Sequence, residues 1–463
     1  MKFGGTSLKD AECISGVAKL IVRLQKKQKL AVVLSAQGGI TDALIQSARY
    51  AARGKESLWR KVKQEIKRRH FQVVENLLSP DKWPQVELKL SDYLADLEAL
   101  CSGIMLMREI TPRALDAIAS LGELMNIEIM TEVLRSKGIA AEAIDGADLL
   151  VTDEGFGNAS PISDLSRAKT RKRILPLLQE NIVPVITGFR AATRKGVSTT
   201  LGRGGSDYSA TLIGAALDAR EVWIWTDVDG VMTADPRLIP KAKIVPALSY
   251  REAIELSYFG ARVLYYKTLE PVIKKRIPVW IKNTFNPASK GTRISLRSNS
   301  RSNSSGGVKA ITSVARANLV TLRGGQIFSF PGMAAKALDA LANQSITTLM
   351  VIQLSADNVL SLAVHHKELD QVRTLLQKTF ELEMRHDYMG PIEVMHQAAI
   401  IVAIGENMEG TPGIAGRIFG ALGSNGINVI AIAQGSSEMS ISFAVRSADV
   451  KEAVGALHSE FHL

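Results

Sequence analysis

The first residues of the chain combine a lysine with two glycines, a pattern suited to holding a phosphate group. The sequence opens MKFGGTS, in which Lys2 precedes Gly4 and Gly5. Glycine lets a backbone turn sharply and approach a ligand closely, and backbone N–H groups without flanking side chains can bind an anion. A strand that ends in a turn accounts for the same residues without a ligand. This stretch alone therefore leaves both interpretations open.

A second glycine-rich stretch, LGRGGSDYSA at 201–210, places Arg203 among three glycines directly before an apolar helical segment. Ser206 or Asp207 is expected to cap that helix, and the glycines let an anionic group approach its positive end. A capped helix after a loose turn explains Ser206 and Asp207 but not an arginine between glycines. We therefore expect this stretch to bind an anion.

The stretch WTDVDGVMTADPR at 225–237 places several carboxylates after an apolar run. Its spaced aspartates suggest a calcium loop, but the remaining ligands and the closing glutamate of such a loop are missing, so we reject a calcium site. Asp-Gly and Asp-Pro pairs are also common in turns. On its own, this stretch fits a binding loop and an ordinary turn equally well.

Buried parallel strands must position these stretches, because short apolar runs alternate with helical segments. The runs lie at 29–36, 182–187, 221–226 and 278–282, and helical patterns cover 206–217 and 250–260. This alternation predicts an α/β fold with a mostly parallel sheet. Ligands of such sheets bind beyond the carboxyl ends of the strands, so the motifs that follow strands carry most weight.

The last third of the chain contains a duplication. A Ser/Asn/Arg/Gly-rich run, SLRSNSRSNSSGG at 295–307, predicts a flexible linker. After it, residues 331–364 align without gaps on 412–445, with 11 identities in 34 positions. Each copy reads as helix, turn, apolar strand, polar loop and strand, with a further apolar strand before it. We therefore expect two copies of one α+β unit.

Composition narrows the class of protein. The 463 residues exceed one ordinary domain of roughly 100–200 residues, so two to four domains are expected. Cys13 and Cys101 are the two cysteines, which excludes a disulfide framework or a cysteine zinc site and suits a reducing cytosol. No apolar run reaches the roughly 20 residues that span a bilayer. We expect a cytoplasmic protein without membrane contact.

The positive charge of the chain raises the possibility of nucleic-acid binding. The net charge is +11, and the densest basic cluster, RKVKQEIKRR at 60–69, lies in a helical pattern without interleaved aromatic residues. A solvated helix face explains that cluster better than a phosphate-backbone contact does. We expect no nucleic-acid partner, although a positive field would also favour anionic small molecules.

Six ordered motifs resemble one family, the aspartate kinases of the amino-acid-kinase fold: KFGGTS at 2–7, LSAQGGITDAL at 34–44, GE at 122–123, TLGRGGSDYSA at 200–210, WTDVDGVMTADPR at 225–237 and SYFGARVL at 257–264. The duplicated tail resembles the tandem ACT domains of those enzymes. The resemblance implies a catalytic domain over 1–296 with a mostly parallel sheet between helices, a linker over 297–307, and ferredoxin-like ACT domains over 308–390 and 391–463.

The resemblance also implies the reaction: ATP phosphorylates the β-carboxylate of L-aspartate, the first step toward lysine, threonine and methionine. Lys2 would counter the charge on the moving phosphoryl group, Arg203 would grip the α-carboxylate of aspartate and Glu123 its ammonium group. Mg²⁺ is expected to bridge ATP oxygens largely through water, without a dedicated set of protein ligands. The implied roles are catalytic for Lys2 and Asp207; aspartate-binding for Ser35, Thr41, Glu123, Arg203 and Ser206; and ATP-binding for Lys2, Gly4, Gly5, Thr226, Asp227, Met232, Arg237 and Arg262.

Four departures from the family pattern affect the nucleotide side more than the aspartate side. A single residue precedes Lys2 in the first strand, and Met232 stands where many relatives have tyrosine. Arg262 replaces the usual lysine of the F-G-A-K motif, and Tyr265 and Tyr266 replace the usual His-Pro. Two alternatives to an aspartate kinase remain open. One is another acid kinase of the same fold, and the other is a decayed kinase that only senses amino acids.

Regulation is expected in the repeats, because Gln353 and Gln434 occupy the same repeat position. Their amides suit a ligand with a hydroxyl or zwitterionic ends, and Asn425 and Asn428 add further amides. By resemblance, these loops bind an end-product inhibitor, with threonine favoured and lysine as runner-up. A duplication that serves as a dimerisation scaffold is the alternative. Exposed sheet edges predict a homodimer or a dimer of dimers through the ACT domains.

Overall fold

The computed structural model describes residues 1–260, 264–297, 307–325, 330–344, 346–354 and 358–463. The chain forms two compact units. The first comprises Met1–Val231, Pro246–Tyr250 and Val263–Ser298, and the second comprises Met232–Val245, Arg251–Arg262 and Asn299–Leu463. Arg262 and residues 298–306 of the expected linker lie outside the described residues.

The first unit is built on a mostly parallel sheet. Its strands are β1 (Lys2–Phe3), β2 (Val32–Leu34), β3 (Ala141–Ile144), β4 (Val151–Thr152), β5 (Val183–Thr187), β6 (Arg190–Thr193), β7 (Ser198–Thr200), β8 (Val222–Thr226), β9 (Ala247–Ser249), β10 (Val279–Asn283) and β11 (Thr292–Ser295). Eight of them form one sheet in the order β3-β5-β2-β1-β8-β10-β11-β9, in which the β10–β11 pair alone is antiparallel. Strands β4, β6 and β7 form a small second sheet.

Helices connect several of these strands. They are α1 (Ala11–Gln25), α2 (Ile40–Ala52), α3 (Glu56–Leu77), α4 (Trp83–Met107), α5 (Pro112–Ala119), α6 (Leu121–Ser136), α7 (Ser163–Gln179), α8 (Gly205–Ala216), α9 (Tyr250–Tyr258) and α10 (Glu270–Lys275). Helix α9 begins at Tyr250 in the first unit and continues in the second. Helix α1 shows how sequence sets these elements, since Asp10 accepts a hydrogen bond from the Cys13 N–H at its start. Ile14, Val17 and Ile21 then bury one face in the core at helical spacing.

The predicted fold class is confirmed. The four apolar runs become β2, β5, β8 and β10, and the two predicted helices become α8 and α9. The basic cluster at 60–69 lies on α3, where Arg60 and Arg68 are exposed and pair with neighbouring glutamates. A buried strand needs a continuous apolar run because both of its faces are covered, which is why these strands were readable from sequence.

The second unit carries the duplication as one antiparallel sheet. Its strands are β12 (Ala310–Arg323), β13 (Met350–Leu354), β14 (Val359–His365), β15 (Glu393–Ile404), β16 (Ala431–Gln434) and β17 (Ser440–Arg446), in the order β13-β14-β12-β15-β17-β16. Its further helices are α11 (Phe330–Asn343), α12 (Leu369–Thr379), α13 (Glu381–Arg385), α14 (Ile414–Ser424) and α15 (Val450–Glu460). The predicted α+β arrangement of both copies is confirmed.

The two copies share their central strands. The start of β12 pairs with the end of β15, as in Val314 opposite Ile400, whereas the end of β12 pairs with the start of β15, as in Val320 opposite Val394. Each half of the sheet therefore combines one end of β12 with the opposite end of β15, so each copy of the repeat contributes part of a strand to the other half. Separate apolar clusters then fill the two halves, one around Phe443 and Phe461 and one around Phe380.

Candidate functional site

Parallel pairing brings the predicted motifs together at one edge of the first sheet. Lys2 lies opposite Val33 of β2 and Ile224 of β8, and β2 pairs in turn with β5. The loops that follow these four strands therefore emerge side by side. A cleft with a volume of about 330 Å³ opens there, lined by Lys2, Gly5, Ser35, Ala36, Gln37, Gly38, Gly39, Thr41, Glu123, Phe189, Gly202, Gly204, Gly205, Ser206 and Asp207.

An ion pair lies in the cleft. The Lys2 Nζ and the Asp207 Oδ1 are 2.5 Å apart, and both side chains are largely buried. Lys2 comes from β1 and Asp207 from the first turn of α8, where a carboxylate also interacts favourably with the helix dipole. A Cβ added at Gly4 would lie 3.5 Å from the Lys2 Nζ, so the glycine leaves open space beside this cation.

Glu123 supplies a buried carboxyl group to the same cleft. It lies in the first turn of α6, 3 % exposed, and it accepts a hydrogen bond from the Ala36 N–H. Its Oε2 has no hydrogen-bond partner among the described residues. Burial raises the pKa of Glu123 to about 8, against smaller opposing effects of Arg190 and Lys2. A cationic ligand group would pair with this carboxylate and favour its ionised form.

Two glycines start the helices that face the cleft. Gly39 precedes α2 with φ at 80° and Gly204 precedes α8 with φ at 69°, a conformation that other residues rarely adopt. The expectation that Ser206 or Asp207 caps α8 is wrong, since Gly204 occupies the cap position without a side-chain hydrogen bond. A Cβ on Gly204 would also come within 2.7 Å of the Tyr265 Cβ. Tyr265, one of the departures from the family pattern, thus packs directly against the glycine loop.

The other expected aspartate-binding residues separate into two groups. Ser35, Thr41 and Ser206 line the cleft, and the Asn126 side chain donates to the Ser35 carbonyl at 2.7 Å, which fixes that loop. Arg203 lies in the loop just before α8 and is exposed, with no hydrogen bond or ion pair within the described part of the chain. Its guanidinium is therefore available to a ligand carboxylate.

The expected ATP-binding residues belong to both compact units. Thr226 and Asp227 end β8 beside the first glycine turn, and Gly4 N–H donates to the Trp225 carbonyl at 3.3 Å. Met232 and Arg237 belong instead to the second unit. There the Arg237 side chain forms an exposed ion pair with Asp235 at 2.6 Å. Arg262 lies outside the described residues.

Sequence reasoning missed two residues that line the cleft and one that holds its loops. The Gln37 side chain is buried, Phe189 adopts a positive φ of 64°, and Arg69 of α3 donates to the Gly38 carbonyl at 2.9 Å and to the Lys9 carbonyl at 3.5 Å. Arg69 thus ties together two of the loops that line the cleft. Gln37 stands inside a recognised motif, whereas no sequence signal connects Arg69 to a loop far away in the chain.

The expected effector residues lie in different parts of the second unit. Gln434 of β16 lines a cavity of about 360 Å³ at the start of α14, where the Glu438 carboxylate accepts from the Gly410 N–H at 2.8 Å. Asn425 lies instead in a groove beside α14 and α15, and Asn428 is exposed. Gln353 is exposed on β13, and residues 355–357 that follow it lie outside the described residues.

Two negative findings apply to the described residues. None of their helices is both long and apolar enough to cross a membrane. Within the same ranges, no three His, Cys, Asp or Glu side chains cluster in a way that would hold a metal ion.

Family models match both parts of the chain. A model of the amino acid kinase family matches residues 1–283, and a model of an ACT domain matches residues 401–461. Aspartokinase 2 of Arabidopsis thaliana, a chloroplastic protein, is 33% identical over the whole of this chain and 84% of its own length. The bifunctional aspartokinase/homoserine dehydrogenase 1 of Zea mays is 33% identical over the whole chain. The chain spans about half the length of that relative and of the similar bifunctional proteins.

Solved structures match the chain from end to end. E. coli aspartokinase III in complex with aspartate and ADP has a TM-score of 0.83 and 28% identity, covering 100% of this chain and 99% of its own. The same protein in complex with lysine and aspartate has a TM-score of 0.81 at the same identity and coverage.

Proposed function

The chain belongs to the amino acid kinase family, among the aspartokinases, and from that premise we propose that it transfers the γ-phosphoryl group of ATP to the β-carboxylate of L-aspartate. A carboxylate oxygen forms the new bond to phosphorus as the bond to the ADP oxygen breaks, giving 4-phospho-L-aspartate. No proton moves, because the attacking carboxylate is already ionised at neutral pH. Positioning and charge stabilisation therefore account for the catalysis.

Lys2 is the residue we assign to charge stabilisation. Its ammonium group lies in the cleft beside Gly4, whose missing side chain leaves room for a phosphate oxygen near the cation. Asp207 holds this cation at 2.5 Å and so keeps it in place before the substrates bind. A preorganised charge in a water-poor site costs no rearrangement during the reaction.

The aspartate end of the cleft supports an amino-acid substrate. Glu123 supplies a carboxylate for the ammonium group, and Arg203 supplies an unpaired guanidinium for the α-carboxylate. Ser35, Thr41 and Ser206 offer hydroxyls around the same space. Glu123 carries the proposal, because a cationic ligand group would pair with its unpartnered oxygen and favour the ionised form of this buried carboxyl group. The E. coli relative described with aspartate and ADP supports the same substrate pair.

We propose that Mg²⁺ binds together with ATP. We expect the ion to be held mainly by phosphate oxygens and water. Magnesium often keeps several water ligands at such sites. Bound in this way, the ion would neutralise phosphate charge, a task that Lys2 shares. Thr226, Asp227, Met232, Arg237 and Arg262 remain proposed contacts of the nucleotide.

A coupled assay of ADP release across L-aspartate, L-glutamate and N-acetyl-L-glutamate tests the substrate. We expect turnover with aspartate and little with the other two, because both are longer and one lacks the ammonium group that Glu123 requires. Equal or faster turnover of another acid would make this a different acid kinase of the same fold. No turnover of any acid, with retained amino-acid binding, would support the decayed sensor instead.

We further propose that the ACT domains, over 308–390 and 391–463, inhibit the kinase when they bind an end product, threonine before lysine. The cavity beside Gln434 supports an effector site in the second copy, and the E. coli relative is described with lysine. An effector inhibits only if it binds a low-activity arrangement more tightly. Gln353, Asn425 and Asn428 remain proposed contributors.

Titration of activity with threonine, lysine, methionine and S-adenosylmethionine tests regulation. We expect threonine to inhibit, and Gln434→Ala to relieve that inhibition while uninhibited turnover stays within about twofold. Inhibition by lysine alone would reject the choice of threonine. No response to any of the four would leave the duplication as a dimerisation scaffold.

A homodimer or dimer of dimers is proposed through the ACT-type sheet. Its edge strands β13 and β16 expose Val351, Leu354 and Ile432, and unpaired edges of this kind recruit further strands. Light scattering at micromolar concentration tests this assembly, and a monomeric mass would contradict it.

We also propose a cytoplasmic location, from the cysteine usage of the chain.

A further inference from the structure

Gln37 is a buried amide without partners at the edge of the cleft. It lies in the loop between β2 and α2, is 2 % exposed and lines the cleft. Neither its Nε2 nor its Oε1 has a hydrogen-bond partner among the described residues. Buried side-chain amides are nearly always paired in folded proteins, because leaving the donor and acceptor unpaired is costly.

The backbone around Gln37 is held in place. The Ile40 N–H donates to the Gln37 carbonyl at 3.0 Å, and Arg69 donates to the carbonyl of Gly38 at 2.9 Å. These hydrogen bonds therefore restrict the positions that the Gln37 amide can reach before a ligand binds. A ligand group that meets a fixed partner loses less conformational freedom on binding.

The residue before Gln37 contacts a second group that lacks a partner. The Ala36 N–H donates to the Glu123 carboxylate, so Gln37 is one residue from the contact that holds Glu123. The Glu123 Oε2 also lacks a partner within the described ranges. Two residues that line the cleft thus carry a carboxylate oxygen, an amide oxygen and an amide N–H₂ that are buried and have no partner among the described residues.

These three groups match the head of an α-amino acid. An ammonium group donates three hydrogen bonds, which both the Glu123 carboxylate and the Gln37 Oε1 can accept. The α-carboxylate next to it accepts from the Gln37 Nε2. An amide is suited to this task because it offers a donor and an acceptor on neighbouring atoms, whereas a carboxylate offers acceptors alone.

We propose that Gln37 is a specificity-determining residue whose amide pairs with the ammonium and carboxylate head of the substrate, so that the cleft selects acids with a free α-amino group. This inference rests on the proposed function, since it names the residue that reads one part of that substrate. It also explains why a costly unpaired amide is retained: the substrate completes its hydrogen bonds.

The test compares Gln37→Met with the wild-type full-length protein. Methionine keeps an unbranched chain of similar length but has no amide. Isothermal calorimetry at pH 8 measures binding of L-aspartate and of succinate, which has both carboxylates and no amino group. Gln28→Met, at an exposed glutamine outside the cleft, is the matched control.

We expect the Kd for aspartate to rise about tenfold in Gln37→Met, as for a lost hydrogen bond to a charged group. Succinate keeps the carboxylate contact of the Gln37 Nε2 but lacks the ammonium contact of the Oε1. Its Kd should therefore rise by a clearly smaller factor than that of aspartate, so the preference for aspartate falls. The melting temperature without ligand should stay level or increase, because an unpaired buried amide has been removed. Gln28→Met should match the wild type in all three measurements.

Other outcomes separate the two claims. A folded Gln37→Met that binds aspartate as tightly as the wild type overturns this inference and leaves the proposed function standing. An equal loss for aspartate and succinate also overturns it, since Gln37 would then not recognise the ammonium group. If Gln37→Met melts well below the wild type, Gln37→Leu replaces it under the same criteria. A wild-type protein that binds no aspartate overturns the proposed function itself.

Discussion

The aspartate side and the nucleotide side of the proposed active site differ in how the fold holds their residues. Lys2, Ser35, Glu123 and Asp207 line one cleft, each within a residue or two of a strand end or in the first turn of a helix. Of the nucleotide residues, Thr226 lies at a strand end, whereas Arg237 lies in a long loop of the other compact unit. Regular elements fix the residues of the cleft, whereas a loop carries Arg237.

This difference shows which residues can be placed in the site from the sequence alone. A residue next to a buried parallel strand is positioned by the pairing of the sheet, so its neighbours follow from topology. A residue in a long loop is positioned by contacts that the motif itself does not contain. If the functional contributions follow the same division, substitutions in the cleft should have larger effects than substitutions in the loop.

The largest expected effect is that of Lys2→Ala. Removal of the cation that stabilises phosphoryl charge should lower kcat by about 10³-fold or more. Steady-state ADP release measures it, and Lys26→Ala, at an exposed lysine after α1, serves as the control and should leave kcat unchanged. Substantial activity in Lys2→Ala would remove the centre of the proposed mechanism.

Arg203→Ala should act on binding more than on chemistry. Loss of a charged hydrogen-bond pair with the α-carboxylate is expected to raise the KM for aspartate about 10- to 100-fold with a smaller change in kcat. Arg194→Ala, at an exposed arginine outside the cleft, is the control. A fall in kcat at constant KM would instead place Arg203 on the phosphoryl side.

The pH dependence of aspartate binding should reflect Glu123. Its pKa is raised to about 8, so below that pH the carboxyl must lose its proton to pair with the substrate ammonium. The affinity for aspartate should therefore increase by up to about tenfold per pH unit between pH 6 and 8, then level off. Calorimetry measures this, and Glu123→Gln should bind weakly with no such slope. A flat wild-type profile would contradict the assignment.

The same raised pKa makes a prediction for stability. Because the ionised carboxylate is disfavoured in the folded state, Glu123 contributes a loss of stability that develops as pH rises from its unfolded pKa of 4.5 to about 8. Glu123→Gln should therefore gain melting temperature relative to the wild type at pH 9 but not at pH 4. Equal melting curves at pH 9 would indicate that Glu123 is not desolvated.

The smallest expected effect is that of Arg237→Ala. Arg237 is exposed and pairs with Asp235, and surface charges of this kind contribute about 1 kcal/mol or less. The KM for ATP should rise no more than about fivefold, while the KM for aspartate stays constant. A rise well above that value would mean that the loop residues hold the nucleotide as firmly as the cleft holds aspartate.

Sequence patterns predicted the elements better than their contacts. The runs that became β2, β5, β8 and β10 were readable because buried strands are continuously apolar. The start of α8 was misjudged because a Ser-Asp pair favours capping locally, whereas the crowded contact with Tyr265 requires glycine at position 204. The bond from Arg69 to Gly38 and the shared strands β12 and β15 are long-range features with no local signal.

Trapping the product with hydroxylamine tests the central claim most directly. Hydroxylamine attacks an acyl phosphate and leaves a stable hydroxamate, so mass spectrometry identifies which carboxylate was phosphorylated. We predict β-aspartyl hydroxamate from the wild-type protein in proportion to the ADP released, and none from Lys2→Ala. ADP release without the β-hydroxamate, or equal hydroxamate from both proteins, would contradict the proposal that this cleft phosphorylates aspartate.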